Sequence, residues 1–243
     1  MTREDLTVSI VIPAKNEKGN IENLIKRIPQ FGKSLEIIFV EGGSTDGTLE
    51  EIKRVAEIHP DKNIKWAAQK CKGKRDAARK GFEMATGDVL MILDADLSVP
   101  PEELPKFYEM IKSGEGQFIN GTRFIYPMEK GAMRFLNYWG NKFFTFLLSW
   151  IIGQKITDTL CGTKVLLKSD YEKIKENRKF FGDFDPFGDF DLLFGAAKLG
   201  LKIQETPVHY KARTYGKTNI SRFRHGWLLL KMTIFAAKKF KFK

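Results

Sequence analysis

Residues 87–102 read GDVLMILDADLSVPPE. The uninterrupted apolar run VLMIL (89–93) lies between Gly87 and the Pro100-Pro101 pair. A run this short, bounded by turn residues, reads as a strand buried on both faces, as in parallel sheets. It ends directly in Asp94-Ala95-Asp96. Alternate residues of an extended chain point the same way, so both carboxylates can face one site. Carboxylate oxygens suit Mg2+ or Mn2+, ions that take diphosphate oxygens at the same time. Acidic residues also end strands simply by meeting water, so the surroundings must decide between the two readings.

Upstream, VSIVI (8–12) is a β-branched run stopped by Pro13, and LEIIFV (35–40) is a second strand closed by Gly42-Gly43-Ser44. Helical spacing follows each: Ile21, Leu24, Ile25 and Ile28 after the first, then Leu49, Ile52, Val55 and Ile58 after the second, with Asp46 or Thr48 as its cap. Residues 64–67 form a short third strand, residues 75–85 a helix ended by Gly87, and Pro100-Pro101 opens a helix over 102–111. Strands alternating with helices imply a mainly parallel α/β sheet covered on both faces. Ligands of such sheets bind beyond the carboxyl ends of the strands. Three polar loops fall there: 13–17, 41–47 and 94–98. Their coincidence favours a functional Asp94 and Asp96.

The second half is less regular. It holds an aromatic segment (133–152), the stretch 159–167, an acidic-aromatic stretch FFGDFDPFGDFDLLF (180–194) and a basic tail from Lys202. With neither repeat nor linker, 1–121 and 122–243 read as two halves of one domain. The formal charge of +11 calls for an anionic partner. Two cysteines, Cys71 and Cys161, offer no disulfide framework or thiolate metal site, and the start of the chain lacks a secretory pattern. A cytoplasmic protein is expected. FFTFLLSWII (143–152) has about 10 residues against the roughly 20 of a membrane span. Apolar residues surround the helix of the 133–152 segment instead of forming one stripe, so it is either wholly buried or partly in lipid. With the Lys- and Arg-rich tail, peripheral docking on an anionic inner membrane face is the favoured reading, plain core packing the other. A nucleic-acid binder has only the charge in its favour, and no nucleic-acid motif accompanies it. A nucleotidyltransferase would want a Gly-rich phosphate loop where PAKNE (13–17) stands.

The order VSIVIPAKNE (8–17), FVEGGSTDGT (39–48), GDVLMILDADLSVPPE (87–102), NGTR (120–123) and QETPVHYKARTYGKTNISRF (204–223) resembles family 2 glycosyltransferases. Within them it is most similar to the dolichol- and polyprenyl-phosphate sugar synthases. That resemblance implies a GT-A fold and an inverting, metal-dependent transfer from a nucleotide-sugar donor. Pro13, Ala14, Asn16 and Glu17 would line the nucleotide pocket, and Asp94 and Asp96 would hold the metal and the diphosphate. Glu41-Gly42 stands where the family carries two adjacent Asp residues, one of them on the base. Ser98 stands where the lipid-phosphate synthases often carry a metal-binding Gln. The basic loop RTYGK (213–217) supplies Arg213 and Lys217 against the diphosphate.

Two acceptors stay open. A lipid monophosphate is mostly dianionic at neutral pH and needs cations, not a base, to position it. Arg123 and Arg134 are the candidates. A sugar hydroxyl needs a carboxylate base, for which Asp189 and Asp191 would serve. A non-catalytic nucleotide-sugar binder is the weaker third reading.

Overall fold

The computed structural model describes residues 5–69, 73–129, 135–180, 190–216 and 222–241. The first strand, β1 (Thr7–Ala14), leads through helix α1 (Lys18–Arg27) to β2 (Ser34–Glu41). Helix α2 (Thr48–Ile58), β3 (Ile64–Ala68), α3 (Lys74–Met84) and β4 (Val89–Ile92) follow. The Pro100-Pro101 pair opens a 3-10 turn, Pro101–Glu103, before α4 (Leu104–Lys112) takes over. The remainder supplies β5 (Phe118–Thr122), α5 (Phe135–Ile152), β6 (Lys164–Leu167), α6 (Lys168–Glu176), α7 (Phe190–Lys198), β7 (Ile203–Pro207) and α8 (Arg222–Phe240).

All seven strands form one sheet in the order β3-β2-β1-β4-β6-β5-β7. Strand β6 is antiparallel to both β4 and β5, and the other pairings are parallel. The two-residue period of the apolar runs explains how both faces fill. Val8, Ile10, Ile12, Ile37, Phe39, Val89 and Met91 meet α1, α2 and α4, while Val11, Ile38, Val40, Leu90 and Ile92 meet the helices of the other face. Each buried Val, Ile or Leu contributes roughly 1.5–3 kcal/mol relative to exposure. A one-residue slip would exchange the two sets of side chains between faces, so the register is held by packing.

Local readings need adjustment at several points. Gly47 takes the N-cap position of α2 without a side-chain cap, and Asp46 Oδ1 accepts the Thr48 N–H at 3.1 Å from just outside the helix. The segment after Lys202 is not simply a basic tail. Its first residues form β7, whose apolar Ile203 faces the core. Periodicity could not reveal this strand, because IQETP carries only one large apolar residue.

The reversed direction of β6 matters for the site. It places the start of that strand, with Gly162 and Thr163 before it, at the edge where β1, β2, β4, β5 and β7 end. Two halves of the sequence therefore converge on one edge of the sheet.

Candidate active site

Asp94 and Asp96 lie just past β4 at this edge. Asp94 Oδ1 meets Lys74 Nζ at 2.7 Å. Burial works against ionisation of Asp94, but Lys74, with Lys164 and Arg123 farther away, holds its carboxyl below the usual range. Gly162 passes directly beneath this pair, and a Cβ there would overlap Asp94 Oδ2 and crowd Lys74 Nζ. Asp96 Oδ1 accepts the Ser98 N–H at 3.0 Å, and its Oδ2 meets Arg213 NH2 at 2.6 Å. Leu97, between Asp96 and Ser98, is buried at φ 59, a conformation that costs a bulky residue energy.

The loop after β1 is laced to the loop after β2. Pro13 and Ala14 end the strand, and Ala14 is paired in register with Glu41. Asn16, at φ 56, donates its N–H to Ser44 Oγ at 2.9 Å and accepts the Thr45 N–H on Oδ1 at 2.9 Å. The Glu17 N–H reaches Thr48 Oγ1 at 2.9 Å. Glu17 Oε1 meets Arg213 NH1 at 2.7 Å. Burial raises the Glu17 pKa and nearby Asp96 adds to this, against the pull of Arg213 and Asn20. Buried Glu41 accepts the Ser44 N–H at 2.5 Å and so shapes the turn that faces Asn16.

Arg213 thus holds Asp96 with one arm and Glu17 with the other. Its segment, residues 211–216, is stitched across three loops. The Lys211 N–H donates to Ser98 O at 2.9 Å, and Tyr215 O–H donates to Asp46 Oδ2 at 3.1 Å. The Tyr215 ring lies against Gly19, where a Cβ would collide with it.

Arg123 follows β5 and is buried. Its Nε and NH2 donate to Asp158 at 2.6 and 2.8 Å, and its guanidinium stands 5.0 Å from the centre of the Tyr210 ring. Burial raises the Tyr210 hydroxyl, Arg123 opposes this, and Asp96 and Asp94 both reinforce it. Asp158 also accepts from Asn141 on α5 at 3.1 Å. Arg123 is consequently tied into a buried pair, which differs from a cation standing open for a phosphate.

Asp191 lies at the start of α7. It is buried and meets Arg79 NH2 at 2.7 Å and Arg178 Nε at 3.2 Å. A base for an acceptor hydroxyl would need a freer position. Arg134, Asp189 and Lys217 lie outside the described residues. Among the described residues no three His, Cys, Asp or Glu side chains gather as a metal cluster. Two carboxylates still fit Mg2+ or Mn2+, which commonly bind one or two protein carboxylates and complete their shell with phosphate oxygens and water.

The model of Glycosyl transferase family 2 matches residues 9–175, more than half of the chain. The chain belongs to glycosyl transferase family 2. Among relatives of this family 2 protein is a dolichol-phosphate mannosyltransferase of Pyrococcus furiosus. It is 39% identical over 122 residues, covering 49% of this chain and 34% of the relative. The low-salt glycan biosynthesis hexosyltransferase Agl6 of Haloferax volcanii is 29% identical over 230 residues, covering 91% of this chain and 51% of the relative. The chain spans from about a third to about half the length of the curated relatives it matches. In structure, it is similar to glucosyl-3-phosphoglycerate synthase of Mycobacterium tuberculosis solved with Mn2+, UDP and glucosyl-3-phosphoglycerate. There the TM-score is 0.69 at 18% identity, covering 98% of this chain and 81% of the other. The mannosyltransferase PcManGT of Pyrobaculum calidifontis, solved with GDP-Man and Mn2+, gives 0.61 at 20% identity, covering 93% and 61%. The fold of this family 2 chain is the GT-A fold of these enzymes.

Sequence reasoning missed Lys74, Gly162, Asp158 and Tyr210. Lys74 was hidden among the cations of KCKGKR (70–75), and TLCGTK (159–164) drew notice for its cysteine instead of its glycine. Cys161 itself is buried, with its thiol pushed up to about 11, chiefly by burial, and packs against Gly121. A packing residue of that kind is inert.

Proposed function

We propose that this family 2 chain is an inverting glycosyltransferase that moves a sugar from a nucleotide-sugar donor to a polyprenyl or dolichyl phosphate. The observation that carries the reading is the carboxylate pair Asp94 and Asp96 at the carboxyl edge of the sheet, crossed by the basic segment that holds Arg213. The names of relatives supply the acceptor class: they include dolichol-phosphate mannosyltransferases and undecaprenyl-phosphate 4-deoxy-4-formamido-L-arabinose transferases.

In this reading residues 1–121 form the donor half and 122–243 the acceptor and membrane-facing half. Pro13, Ala14, Asn16, Glu17 and Glu41 bound the nucleotide. Asp94 and Asp96 would hold Mg2+ or Mn2+, which supplies Lewis-acid stabilisation of the departing diphosphate. Arg213 contributes positive charge to the same leaving group, with Lys217 as its partner in the loop. A phosphate oxygen of the acceptor forms the new bond to the anomeric carbon as the bond to the nucleoside diphosphate breaks. Displacement from the opposite side inverts that carbon. The acceptor, already ionised, needs no base. Arg134 is assigned to its phosphate; Arg123 is engaged by Asp158. Of the two candidate bases for a hydroxyl acceptor, Asp191 is engaged by two arginines.

Helices α5 and α8 support an anionic membrane surface on the cytoplasmic side as the place of work. They pack together and leave Phe135 (74% exposed), Trp139, Phe143, Phe146 (73% exposed) and Trp150 of α5 outward, with Trp227 of α8. Lys241 and Lys231 stand over Trp150 and Trp227 at 5.3 and 5.5 Å from the ring centres. Aromatic rings interleaved with lysines suit the headgroup region. Among the described residues no helix is long and apolar enough to cross a membrane.

The test is transfer of labelled sugar from a panel of nucleotide sugars into organic-extractable polyprenyl phosphate. Wild type should transfer from at least one donor with Mn2+ or Mg2+, and Asp96→Asn should lose about a hundredfold or more while keeping its melting temperature. Label that never leaves the aqueous phase overturns the lipid-phosphate acceptor.

A further inference from the structure

Each carboxylate of the acidic pair already has a cation of its own. Lys74 holds Asp94 at 2.7 Å and Arg213 holds Asp96 at 2.6 Å. The Lys74 contact is built in, because only a glycine at 162 leaves room for the carboxylate and the ammonium together. Lys74 is also the first residue of α3, so its ammonium adds to the positive end of a helix eleven residues long. A divalent cation shared by Asp94 and Asp96 cannot bind at full strength while these two positive groups keep their present partners.

We infer that Lys74 is a resident counter-ion of Asp94 that gives way to the metal and becomes a binding group for the donor's diphosphate. This rests on the metal and donor assignment above and adds a residue to it. Arg213 makes the corresponding exchange on Asp96. Without donor, Asp94 and Asp96 face Lys74 and Arg213, and Glu17 shares Arg213. The exchange would leave the net charge of the site unchanged, because a divalent cation for the two aspartates and a diphosphate for the two protein cations arrive together. Metal alone then binds weakly, and metal with nucleoside diphosphate binds well, because the displaced cations regain an anionic partner only in the second case.

The prediction has opposite signs for two ligands, which a structural ion pair would not produce. Mn2+ affinity can be read by paramagnetic resonance of the free ion. Uridine and guanosine diphosphate affinity at saturating Mn2+ can be read by titration calorimetry. In Lys74→Met, Mn2+ alone should bind roughly three- to tenfold more tightly, since a competing cation is gone. The nucleoside diphosphate that wild type prefers should bind about tenfold more weakly, since a charge-assisted hydrogen bond is gone. Lys74→Arg, which keeps the charge, should lie close to wild type on both measurements. Lys74→Gln provides a second neutral variant if Met disturbs folding. Loss of both affinities together, or no change in either, overturns the inference. A wild-type protein with no Mn2+-dependent nucleotide binding overturns the donor-site reading instead.

Discussion

At Gly162 the backbone runs so close to Asp94 that a single methyl group would overlap the carboxylate. Gly162→Ala should therefore push Asp94 off Lys74. The clash is with a buried loop on one side and a strand end on the other, so overpacking should cost about 1–3 kcal/mol. Turnover should fall further than that loss of stability explains. Parallel melting and kinetic measurements check it; an Ala variant with wild-type turnover would mean that Asp94 has room the structure does not give it. At this scale the sequence was readable only in part. Asp94 and Asp96 stood out because an apolar strand runs straight into them. Lys74 and Gly162 did not, because their meaning arises from contacts with Asp94 made across 20 and 68 positions of the chain.

Among the elements, β1, β2 and β3 are pinned at their amino ends by Glu36. It accepts from Ser9 Oγ at 2.5 Å, Lys65 Nζ at 2.6 Å and the Thr86 N–H at 2.6 Å. Burial pushes its pKa up, but Lys65, Ser9 and Thr86 together outweigh that and hold it at about 2. A folded-state pKa below the unfolded one gives stability that is complete above the unfolded value and is lost as pH falls through the folded one. The window thus runs from about pH 4.5 down to about 2, and the contribution is on the order of 3 kcal/mol. Glu36→Gln should lower stability at neutral pH and flatten the acid limb of a stability curve over that window, and an unchanged limb would remove Glu36 from the acid response. Helices α5 and α8 carry a second prediction. Neutralising Lys238, Lys239, Lys241 and Lys243 should weaken sedimentation with anionic vesicles, by about 1 kcal/mol for each lysine that lies near the surface. Replacing Trp139 and Phe146 by Ser should weaken it on neutral vesicles as well, through lost apolar burial. Binding that ignores both sets of changes would leave this face without a membrane role. The apolar residues of the α5 sequence surround the helix, so periodicity alone left burial and lipid contact both open. Leu148, Ile151 and Ile152 are buried and Phe144 packs against the core, while Phe135, Trp139, Phe143, Phe146 and Trp150 are exposed.

Across the whole molecule, β1, β2 and β4 with α1 and α2 were legible because each of these strands holds a short apolar run and each of these helices an apolar stripe. The second half was not. β5 contains Asn120 and Gly121, β6 begins with a buried Lys164, and β7 has one large apolar residue. These strands are made by pairing with neighbours rather than by local pattern. That same pairing, with β6 reversed, brings the 159–164 loop and residues 208–216 onto the edge that carries Asp94 and Asp96, so that two sequence halves meet there. We propose that Asp94 and Asp96 bind a divalent ion together with a nucleoside diphosphate, and a melting series of wild type and Asp96→Asn, each with Mn2+ and a panel of nucleoside diphosphates, tests this. At about 100 times the dissociation constant a ligand adds about 2.7 kcal/mol, so wild type should rise by roughly 5–10 °C with Mn2+ and one diphosphate, and Asp96→Asn should not. Equal rises in both proteins, or a wild-type rise that does not depend on the metal, would contradict it.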